Sequence, residues 1–566
     1  MRLLYLISRF FIGLFQLDFK VTFVKALRKI ALYLLPFYYE RHKYSVQRVV
    51  TRNEKRLKTL GEKSRKSIEG ETVSVFIVIH CRGGQYLQQT LDSINQSNSK
   101  PVSIFLLNYR KNHELKSDIP LFHDATNSKK GILLFMSEGD ILHHEATSLI
   151  YSYVTRFSYT IVYSDTDFLD STGKRLYPQY FPDWSPELFY SRPYFLNFFA
   201  LNATDFTINL DKLTQSFYAE LLRVVFAVMK TNYKIGHISE ILFSRLEETP
   251  EYFDSHNAIK EVLSEHVSLP VDDGLIYKSY RVRYKVQDNT MVSIIIPTRD
   301  KVDFLRTCVD SVLRFTQTVS FEIIVVDNNS EEKDTFTYFE EIKKRDNVDV
   351  LSYPGDFNYS AINNFAVQKA QGNVLLFLNN DVEVLNEEWI HALLEHATRK
   401  EIGAVGGLLL YPNQTVQHAG VVMGLNGLVD HIQRHENSHD EGYCAYLKLI
   451  RNFSAVTGAC MMVEKSKFNR VNGFNEDTLH VEYNDVDLCL KLLQVGYRNV
   501  YTPFCKLIHH EFVSRKKAFE STNETEYLRS TWKALIEHDP MFNKNLTLYS
   551  NCYDLNFFLN EDVGIK

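Results

Sequence analysis

The chain of 566 residues contains few cysteines and no paired cysteine motif. Its seven cysteines lie far apart, are odd in number and include no Cys-x-x-Cys pair: Cys81, Cys308, Cys444, Cys460, Cys489, Cys505 and Cys552. Disulfide frameworks and zinc knuckles are built from closely spaced cysteine pairs, so the sequence argues against both kinds of small domain. The pattern is typical of a protein in a reducing cytosol.

A long apolar run is also absent. The stretch LLYLISRFFIGLFQL near the N terminus is interrupted by Arg9 and closed by Asp18 and Lys20. No small-residue cleavage site follows it, and it is shorter than a bilayer crossing requires, so neither a signal peptide nor a membrane span is predicted.

Acidic residues are scarce in the same region. Residues 1–66 contain 16 Lys or Arg against four acids, a local charge of +12, whereas the whole chain carries −5 and the remainder therefore −17. We expect residues 1–70 to form a basic amphipathic helical segment followed by a linker or solvated helix. Two interpretations of the helical segment stay open. The apolar face lies in an anionic membrane interface, or it packs on the first domain of the protein.

A repeated pattern organises the rest of the chain. VSVFIVIHCRGGQYLQQTLDSI from Val73 and VSIIIPTRDKVDFLRTCVDSVL from Val292 each read as a strand, a polar turn and an amphipathic helix. Further apolar strands follow at 102–107 and 132–136 in the first copy, and at 321–326 and 374–378 in the second. Strands that alternate with helices predict an α/β fold with two tandem, mostly parallel sheets. The expected domains are residues 71–285 and 286–520, followed by a helical tail at 521–566.

The segment VLLFLNNDVEV, residues 374–384, is the chemically most informative part of the second copy. Five apolar residues predict a buried strand, which ends at Asn379, Asn380 and Asp381. Open α/β sheets bind ligands at the carboxyl ends of their strands, and oxygen ligands suit a hard divalent cation. An Asx turn that merely closes the strand is the alternative.

The first copy lacks the residues that would carry this chemistry. From Ser74 to Asp140 it spans 66 residues where the second copy spans 88 from Ser293 to Asp381, so about 22 residues are missing. Ser137-Glu138-Gly139-Asp140 stands in place of the Asn-Asn-Asp loop, and Asn108-Tyr109-Arg110-Lys111 in place of Asp327-Asn328-Asn329-Ser330. We expect a fold of the same kind without the site, and therefore no binding of the second copy's ligand by the first half.

Residues 292–515 resemble a family-2 glycosyltransferase of the GT-A fold. The resemblance rests on SIIIPTRDKVDFLRTCVDSV, EIIVVDNNS, FNYSAINNFAVQKAQGNVLLFLNNDVEV, QHAGVVMG, VTGACMMVEKSKFNRVNGFNE, EYNDVDLCLKLLQVGYRNVYTP and HHEFVSR. The first half is similar to the degenerate partner domain of tandem glycosyltransferases of bacterial O-antigen and surface polysaccharide synthesis. IVYSDTDFLDSTGKRLYPQYFPDWSPELF, residues 161–189, carries that similarity, and Trp532 with HDPMFNKNL at 538–546 resembles the tail of those proteins.

The resemblance implies a set of site residues. A divalent cation, Mg²⁺ or Mn²⁺, would be held by Asp381, by Asn379 and by His509, with His510 as the alternative histidine. Asp485, in the first turn of a predicted helix, would be the catalytic base; Asp487 is the competing candidate, and Asn484 replaces the glutamate usual in the family. The implied donor-nucleotide residues are Pro297, Thr298, Asp300, Asp327, Asn328 and Asn380. Asp327 to Ser330 alternatively form a helix N-cap. Gly458, Asn484 and the loop 413–442 are expected on the acceptor side.

The resemblance implies an inverting transfer of a sugar from a UDP- or TDP-sugar to a hydroxyl of a lipid-linked or polysaccharide acceptor. The expected location is cytoplasmic, on the anionic inner face of the cell membrane, with no nucleic acid among the partners. A processive polysaccharide synthase is disfavoured because transmembrane helices and a QxxRW motif are missing from the sequence. A non-catalytic scaffold is disfavoured for the second half by Asp327, Asp381 and Asp485. Sugar identity depends on loop shape and stays open.

Overall fold

The computed structural model describes residues 44–67, 74–81, 84–98, 103–108, 121–122, 131–170, 172–204, 213, 216–246, 256–510 and 522–556. The predicted membrane-interface segment at 1–43 and the segment around Ser514 lie outside these residues. In the part that is described, no helix is both long and apolar enough to cross a membrane.

Helix α1, Tyr44–Ser67, packs on the first half of the chain. Leu57 is buried, and Arg56 and Arg65 form ion pairs with the buried Glu240 and Glu145. For residues 48–70 the sequence predicts a linker or a solvated helix. The described part, 48–67, is helical, but one face of this helix is packed rather than solvated. One face of the helix is held by an apolar side chain and by arginines that neutralise two buried glutamates.

The first half is built on one sheet. Its strands are β1 Val75–His80, β2 Ser103–Leu107, β3 Leu121–Phe122, β4 Ile132–Ser137, β5 Asp140–Leu142, β6 Ile161–Leu169, β7 Phe199–Asn202 and β8 Ile235–Leu246. Its helices are α2 Leu87–Asn95, α3 Ala146–Phe157, α4 Pro186–Ser191, α5 Phe217–Met229 and α6 His256–Val267. The order of neighbouring strands among the described residues is β3-β2-β1-β4-β7-β6-β8-β5. A hairpin of β9 Val271–Asp273 and β10 Tyr280–Val282 leads to the second half.

The second half repeats this architecture. Its strands are β11 Met291–Thr298, β12 Ser320–Asp327, β13 Val348–Ser352, β14 Val374–Leu378, β15 Val382–Val384, β16 Ile402–Leu410, β17 Val416–His418, β18 Val421–Met423, β19 Val429–His431, β20 Arg451–Phe453, β21 Cys460–Glu464 and β22 Arg498–His509. Its helices are α7 Val302–Phe315, α8 Lys333–Ile342, α9 Tyr359–Lys369, α10 Trp389–Ala397, α11 Lys465–Arg470 and α12 Asn484–Gln494.

The two main sheets have the same strand order and the same strand directions. The second sheet runs β13-β12-β11-β14-β21-β16-β22-β15, and in each half the first four strands of this order are parallel to one another. Antiparallel pairings then follow at β4–β7 and β14–β21. Two tandem α/β domains with parallel-rich sheets are thereby confirmed as the fold class.

The register of the sheets corrects the comparison of the two copies. Ile132 and Val374 hold equivalent places, because they pair with Val75 and Val292 at the start of the equivalent strands β1 and β11. Counting onward, Gly139 is the equivalent of Asp381, and Asp140 is the equivalent of Val382. The edge strands agree, since Asp140 pairs with Arg245 where Val382 pairs with His509. The first half thus has a glycine in place of Asp381 and an arginine in place of His509.

Aromatic side chains fill the corresponding cleft of the first half. The ring of Phe217, at the start of α5, stacks on His80 with centroids 4.3 Å apart. The hydroxyl of Tyr218 lies 2.9 Å from Ser137 Oγ, beside the loop after β4. These rings lie at the carboxyl ends of β1 and β4, which is where a nucleotide would bind.

The tail connects the two halves. Helices α13 Thr522–Thr531 and α14 Lys533–Glu537 are followed by a non-helical segment, residues 538–556, so the described part of the predicted helical tail is helical only in its first half. In that segment Asp539 accepts a hydrogen bond from Ser454 of the second half at 2.6 Å. Asn543 donates to the buried Asp165 of the first half at 3.0 Å. These side-chain bonds attach the segment to both halves.

A buried charge cluster joins the halves more directly. Glu187 of α4 is bonded to Arg399 Nη2 at 3.1 Å and to Arg498 Nη2 at 3.0 Å, and its side chain is only 1% exposed. Burial alone would raise its pKa, but the two guanidinium groups outweigh burial and lower the pKa from 4.5 to about 2.

The variant Glu187→Gln is expected to lower the free energy of unfolding by about 3 kcal/mol at pH 7, since one pKa unit corresponds to about 1.4 kcal/mol. Because the folded-state pKa is depressed, this contribution is present above the unfolded value of 4.5 and is lost as the pH falls towards 2. Urea unfolding of both proteins, repeated from pH 7 downward, should show a difference that shrinks below pH 4.5. Glu340→Gln, which alters an exposed pair with Lys343, is the control. Equal stability of Glu187→Gln and the wild type would contradict a structural role for this cluster.

Candidate active site

The end of β14 and the end of β22 bring three of the predicted metal-binding residues together. β14 ends at Leu378 and is followed by Asn379, Asn380 and Asp381. β22 ends at His509, which pairs across the edge of the sheet with Val382. The imidazole Nε2 of His509 lies 3.2 Å from Asp381 Oδ1 and 3.3 Å from Asn379 Nδ2. The three side chains form one cluster.

The neighbouring histidine faces another way. The imidazole of His510 lies 3.6 Å from Glu383 on the outer side of the edge strand. Its backbone N–H donates to the Asp381 carbonyl at 2.9 Å, which fixes the loop rather than contributing to the cluster. Of the two histidines left open by the sequence, His509 is the one beside Asp381.

Gln417 of β17 orients the imidazole of His509. His509 Nδ1 lies 2.6 Å from Gln417 Oε1, while Gln417 Nε2 donates to the His509 carbonyl at 3.3 Å. A proton on Nδ1 satisfies the first contact, and in the neutral ring it leaves a lone pair on Nε2. This lone pair then faces Asp381. His509 Nε2 and Asp381 Oδ1, both electron-rich, are 3.2 Å apart and repel each other unless a proton or a cation lies between them.

The electrostatics of Asp381 are consistent with a cation site. Burial raises the pKa of this carboxyl group, but the hydrogen bond and the charge of His509 outweigh burial and lower it. The described residues hold no group of three or more His, Cys, Asp or Glu side chains arranged for a metal ion. A cation here would have Asp381, His509 and the weaker amide of Asn379 from the protein, which leaves coordination sites for the oxygens of a diphosphate.

The proposed base lies beside this cluster. Asp485 is in the first turn of α12, is half-buried, and its Oδ2 accepts a hydrogen bond from the Gly458 N–H at 2.7 Å. The next carbonyl along the chain, that of Ala459, accepts from the Asn379 N–H at 3.1 Å. Gly458 and Ala459 therefore connect the base to the metal cluster. A Cβ on Gly458 would lie 3.2 Å from Asp485 Cβ, so the close approach favours glycine.

Asp487 and Asn484 have structural partners. Asp487 is fully buried, accepts from the Trp532 indole at 2.9 Å and pairs with Lys491 at 3.1 Å. The Asn484 amide is also buried and donates to the Val481 carbonyl at 3.1 Å, which closes the turn before α12. These contacts leave Asp485 as the accessible carboxylate of this turn.

Two of the predicted nucleotide residues touch each other. Thr298 ends β11, directly after Pro297, and its Oγ1 accepts from Asn380 Nδ2 at 2.9 Å. The Thr298 carbonyl accepts from the Asn328 N–H at 2.9 Å. The first strand, the second strand and the loop after β14 thus meet at one edge of the sheet.

The remaining nucleotide candidates are partly engaged in the loop itself. One oxygen of Asp300 accepts from the N–H groups of Glu331 and Glu332, both at 2.8 Å, and Asn328 Nδ2 donates to the Gly355 carbonyl at 2.8 Å. Asp327 accepts from the Ser330 N–H at 3.1 Å. Helix α8 begins only at Lys333, so Asp300, from another loop, satisfies the N–H groups that precede it.

The loop 413–442 contains the short strands β17, β18 and β19. His418 is fully buried and contacts His431 at 2.8 Å between their Nδ1 atoms. His435 instead stacks on Tyr411 with ring centroids 5.0 Å apart. The placement of this loop on the acceptor side stays a prediction.

Sequence reasoning missed Gln417 and Glu524. Glu524 of α13 accepts backbone N–H groups of His480, Val481 and Glu482 at 2.9, 3.2 and 2.9 Å, and so holds the segment that leads into α12. Its partners lie about 40 residues earlier in the chain, and no local pattern marks such a contact. The one available signal for Gln417 was its place in the quoted segment QHAGVVMG.

Comparison with known proteins identifies the second half. Residues 293–470 match the family described as Glycosyl transferase family 2. The chain carries a family 2 glycosyltransferase domain. The resemblance inferred from the sequence motifs is confirmed. Strand β14 and the start of α9 lie inside the matched range.

Curated relatives extend the similarity beyond this domain. The chain is 35% identical over 450 residues to "Uncharacterized protein y4gI" of Sinorhizobium fredii, which covers 75% of this chain and 49% of that protein. It is 34% identical over 430 residues to "O-antigen biosynthesis protein RfbC" of Myxococcus xanthus, covering 73% of this chain and 33% of that protein. It is 24% identical over 275 residues to "Rhamnosyltransferase WbbL" of Escherichia coli, covering 46% of this chain and 99% of that protein. The chain thus spans about half or less of the length of the first two relatives.

Solved structures match more weakly. One is GalNAc-T7 with UDP, GalNAc and Mn²⁺, at 14% identity and a TM-score of 0.36, covering 46% of this chain and 51% of that chain. Another is the mannosyltransferase PcManGT of Pyrobaculum calidifontis with GDP-Man and Mn²⁺, at 12% identity and a TM-score of 0.31. The match covers 53% of this chain and 70% of that chain.

Proposed function

We propose that the second half transfers a glycosyl group, with inversion, from a nucleoside-diphosphate sugar to a hydroxyl group of a lipid-linked or polysaccharide acceptor in bacterial surface glycan synthesis. One observation carries the proposal. The cluster of Asp381, His509 and Asn379 and the carboxylate of Asp485 are connected through Gly458 and Ala459. Asn379, Asp381, Gly458 and Ala459 lie within the residues 293–470 that match family 2, and Asp485 and His509 follow them in the chain. A site for the leaving diphosphate and a site for the acceptor proton therefore lie side by side.

Each residue has a separate task in this reaction. Asp381 and His509 would hold Mg²⁺ or Mn²⁺, and the cation would neutralise the charge that develops on the leaving diphosphate. Thr298, Asn380 and the loop at Asp327 would position the nucleotide at the carboxyl ends of β11, β12 and β14. The free lone pairs of Asp485 would accept the proton of the acceptor hydroxyl as that oxygen attacks the anomeric carbon.

The names of the relatives support the substrate class. An O-antigen biosynthesis protein and a rhamnosyltransferase are among the proteins that this chain resembles. We propose a UDP- or TDP-sugar as the donor and a growing surface glycan as the acceptor, and we place the enzyme on the cytoplasmic face of the membrane where such acceptors are assembled.

The test of this function is the release of UDP or TDP from a panel of nucleotide sugars, with and without a lipid-linked glycan acceptor. We expect one donor to give acceptor-dependent release that EDTA abolishes and Mn²⁺ or Mg²⁺ restores. If no donor in the panel gives acceptor-dependent release by the folded protein, the proposal that this site transfers sugars to such acceptors is wrong.

We further propose that the N-terminal residues bind an anionic membrane surface. Residues 1–43 contain eight Lys or Arg and two acidic residues. Each basic side chain near an anionic surface contributes about 1 kcal/mol, so a few of them are sufficient for binding that salt weakens.

Liposome co-sedimentation tests this proposal. The truncated protein should start at residue 44, because α1 packs on the first half and its removal would expose Leu57 and leave Glu240 and Glu145 without their arginines. We expect the full chain to pellet with anionic but not neutral liposomes at low salt, and the truncated protein to remain in the supernatant. Equal pelleting of both proteins would show that residues 1–43 are not the membrane-binding segment.

A further inference from the structure

A cavity of about 70 Å³ lies between the two halves, away from the cluster at Asp381. Strands β6 and β8 of the first half form one wall with Ser164, Thr166 and Arg245, and the turn at Tyr443–Lys448 of the second half contributes Cys444 and Tyr446. One water needs about 10–15 Å³ measured in this way, so the cavity has room for several waters or for one sugar ring.

The lining of this cavity is positively charged. Arg192 and Arg245 are among the lining residues, and these include no aspartate or glutamate. Arg245 pairs with Asp140 at 3.9 Å, and Asp140 does not line the cavity. The guanidinium of Arg192 makes no ion pair or hydrogen bond with the residues that the structure describes. The lining therefore favours an anion.

Two buried polar atoms on the same lining lack partners. Asn197 Oδ1 and Tyr446 Oη are inaccessible and make no hydrogen bond within the described part of the chain. Tyr446 is only 3% exposed. An unsatisfied buried group of this kind costs about 1–3 kcal/mol.

Aromatic rings supply the remaining surface. Phe181, Tyr194, Phe195 and Phe243 line the cavity together with the polar groups already named. The cavity thus combines aromatic faces with about as much polar surface, a mixture that suits a small polar ligand. The C–H face of a pyranose packs on such rings, while its hydroxyl groups reach the polar atoms.

The position of Arg245 connects this cavity to the loss of the metal cluster in the first half. Arg245 occupies the sheet position that His509 holds in the second half, and Gly139 replaces Asp381. A guanidinium group binds carboxylate or phosphate through a fork of N–H donors and needs no metal ion. The first half thus has a permanent cation at the position that contributes to a cation site in the second.

We propose that this cavity is a metal-independent binding site for a sugar residue that carries a carboxylate or a phosphate group. It would be a second carbohydrate site, built by both halves and separate from the site of transfer. The proposal goes beyond the proposed function, because it requires neither donor nor turnover.

The experiment measures binding of four probes to the full chain by isothermal titration calorimetry in EDTA, with UDP present to occupy any nucleotide site. The probes are glucuronate, glucose 1-phosphate, glucose and inorganic phosphate. We expect saturable binding of glucuronate or glucose 1-phosphate, and at least about tenfold weaker binding of glucose and of phosphate, since a tenfold change corresponds to about 1.4 kcal/mol. The preferred charged sugar identifies the anionic group. The absence of saturable binding for both charged sugars would overturn the proposal, and so would glucose binding as tightly as either of them.

Two variants locate the binding. Arg192→Met should weaken binding of the charged sugar at least about tenfold, whereas Arg156→Met, which changes an exposed arginine of α3, should leave it unchanged. An unchanged affinity in Arg192→Met would overturn the assignment to this cavity. Because the assay contains no divalent cation and no acceptor, its outcome is independent of the transferase assay.

Discussion

Asp485→Asn is expected to lower the rate of sugar transfer by about 10²- to 10⁴-fold, the range that a general base contributes. The amide keeps the shape of the carboxylate, and its oxygen still accepts the hydrogen bond from Gly458 that holds Asp485 at 2.7 Å. An amide cannot take up the proton of the acceptor hydroxyl, however. Donor affinity, measured by titration calorimetry in Mn²⁺, should therefore stay within about threefold of the wild type while transfer is lost.

Two further variants define what this result means. Asp334→Asn, on the exposed face of α8, is the control and should transfer at the wild-type rate. Asp487→Asn should lower the unfolding midpoint, because Lys491 loses its negatively charged partner, but the folded protein should remain active. Transfer by Asp485→Asn at near the wild-type rate, or a loss confined to Asp487→Asn, would contradict the assignment of the base.

Asp381→Ala is expected to abolish the metal-dependent part of donor binding. Loss of a residue that only supports a metal ligand costs about 10- to 100-fold in affinity or activity, so loss of a carboxylate ligand itself should cost at least about 100-fold. The remaining His509 and Asn379 present a neutral imidazole and an amide, which do not hold Mg²⁺ or Mn²⁺ firmly. Titration with the donor nucleotide in Mn²⁺ and in EDTA measures the effect.

The adjacent carboxylate provides a matched control. Glu383 lies two residues away but faces His510 at 3.6 Å instead of the cluster. Glu383→Ala should change donor affinity in Mn²⁺ by no more than about threefold. If Asp381→Ala retained the Mn²⁺ dependence, or if both variants lost it equally, the cation site would not be at Asp381.

Local patterns were sufficient for the strands that lead to the site. The apolar runs at 321–326 and 374–378 lie within β12 and β14, and their parallel pairing with β11 followed from the alternation of strands and helices. The resemblance to a glycosyltransferase family placed Asp381, His509 and Asp485 in one reaction, and the structure brings the first two to 3.2 Å.

Long-range contacts were beyond such patterns. His509 meets Gln417 across 92 residues of sequence, and Glu524 holds a segment that belongs to another element. The comparison of the two copies by length placed Asp140 opposite Asp381, whereas the pairing of the strands places Gly139 there. Alignment of a loop by length ignores the sheet register, which only the pairing partners define.

The anomeric configuration of the product tests the central claim most directly. A reaction in which Asp485 activates the acceptor hydroxyl, opposite a diphosphate held at Asp381, is a single displacement and must invert the configuration of the donor sugar. NMR coupling constants of the new glycosidic linkage, obtained with an α-linked nucleotide sugar as the donor, should therefore show a β-linkage. An α-linked product from the wild-type enzyme would contradict the proposed roles of both aspartates.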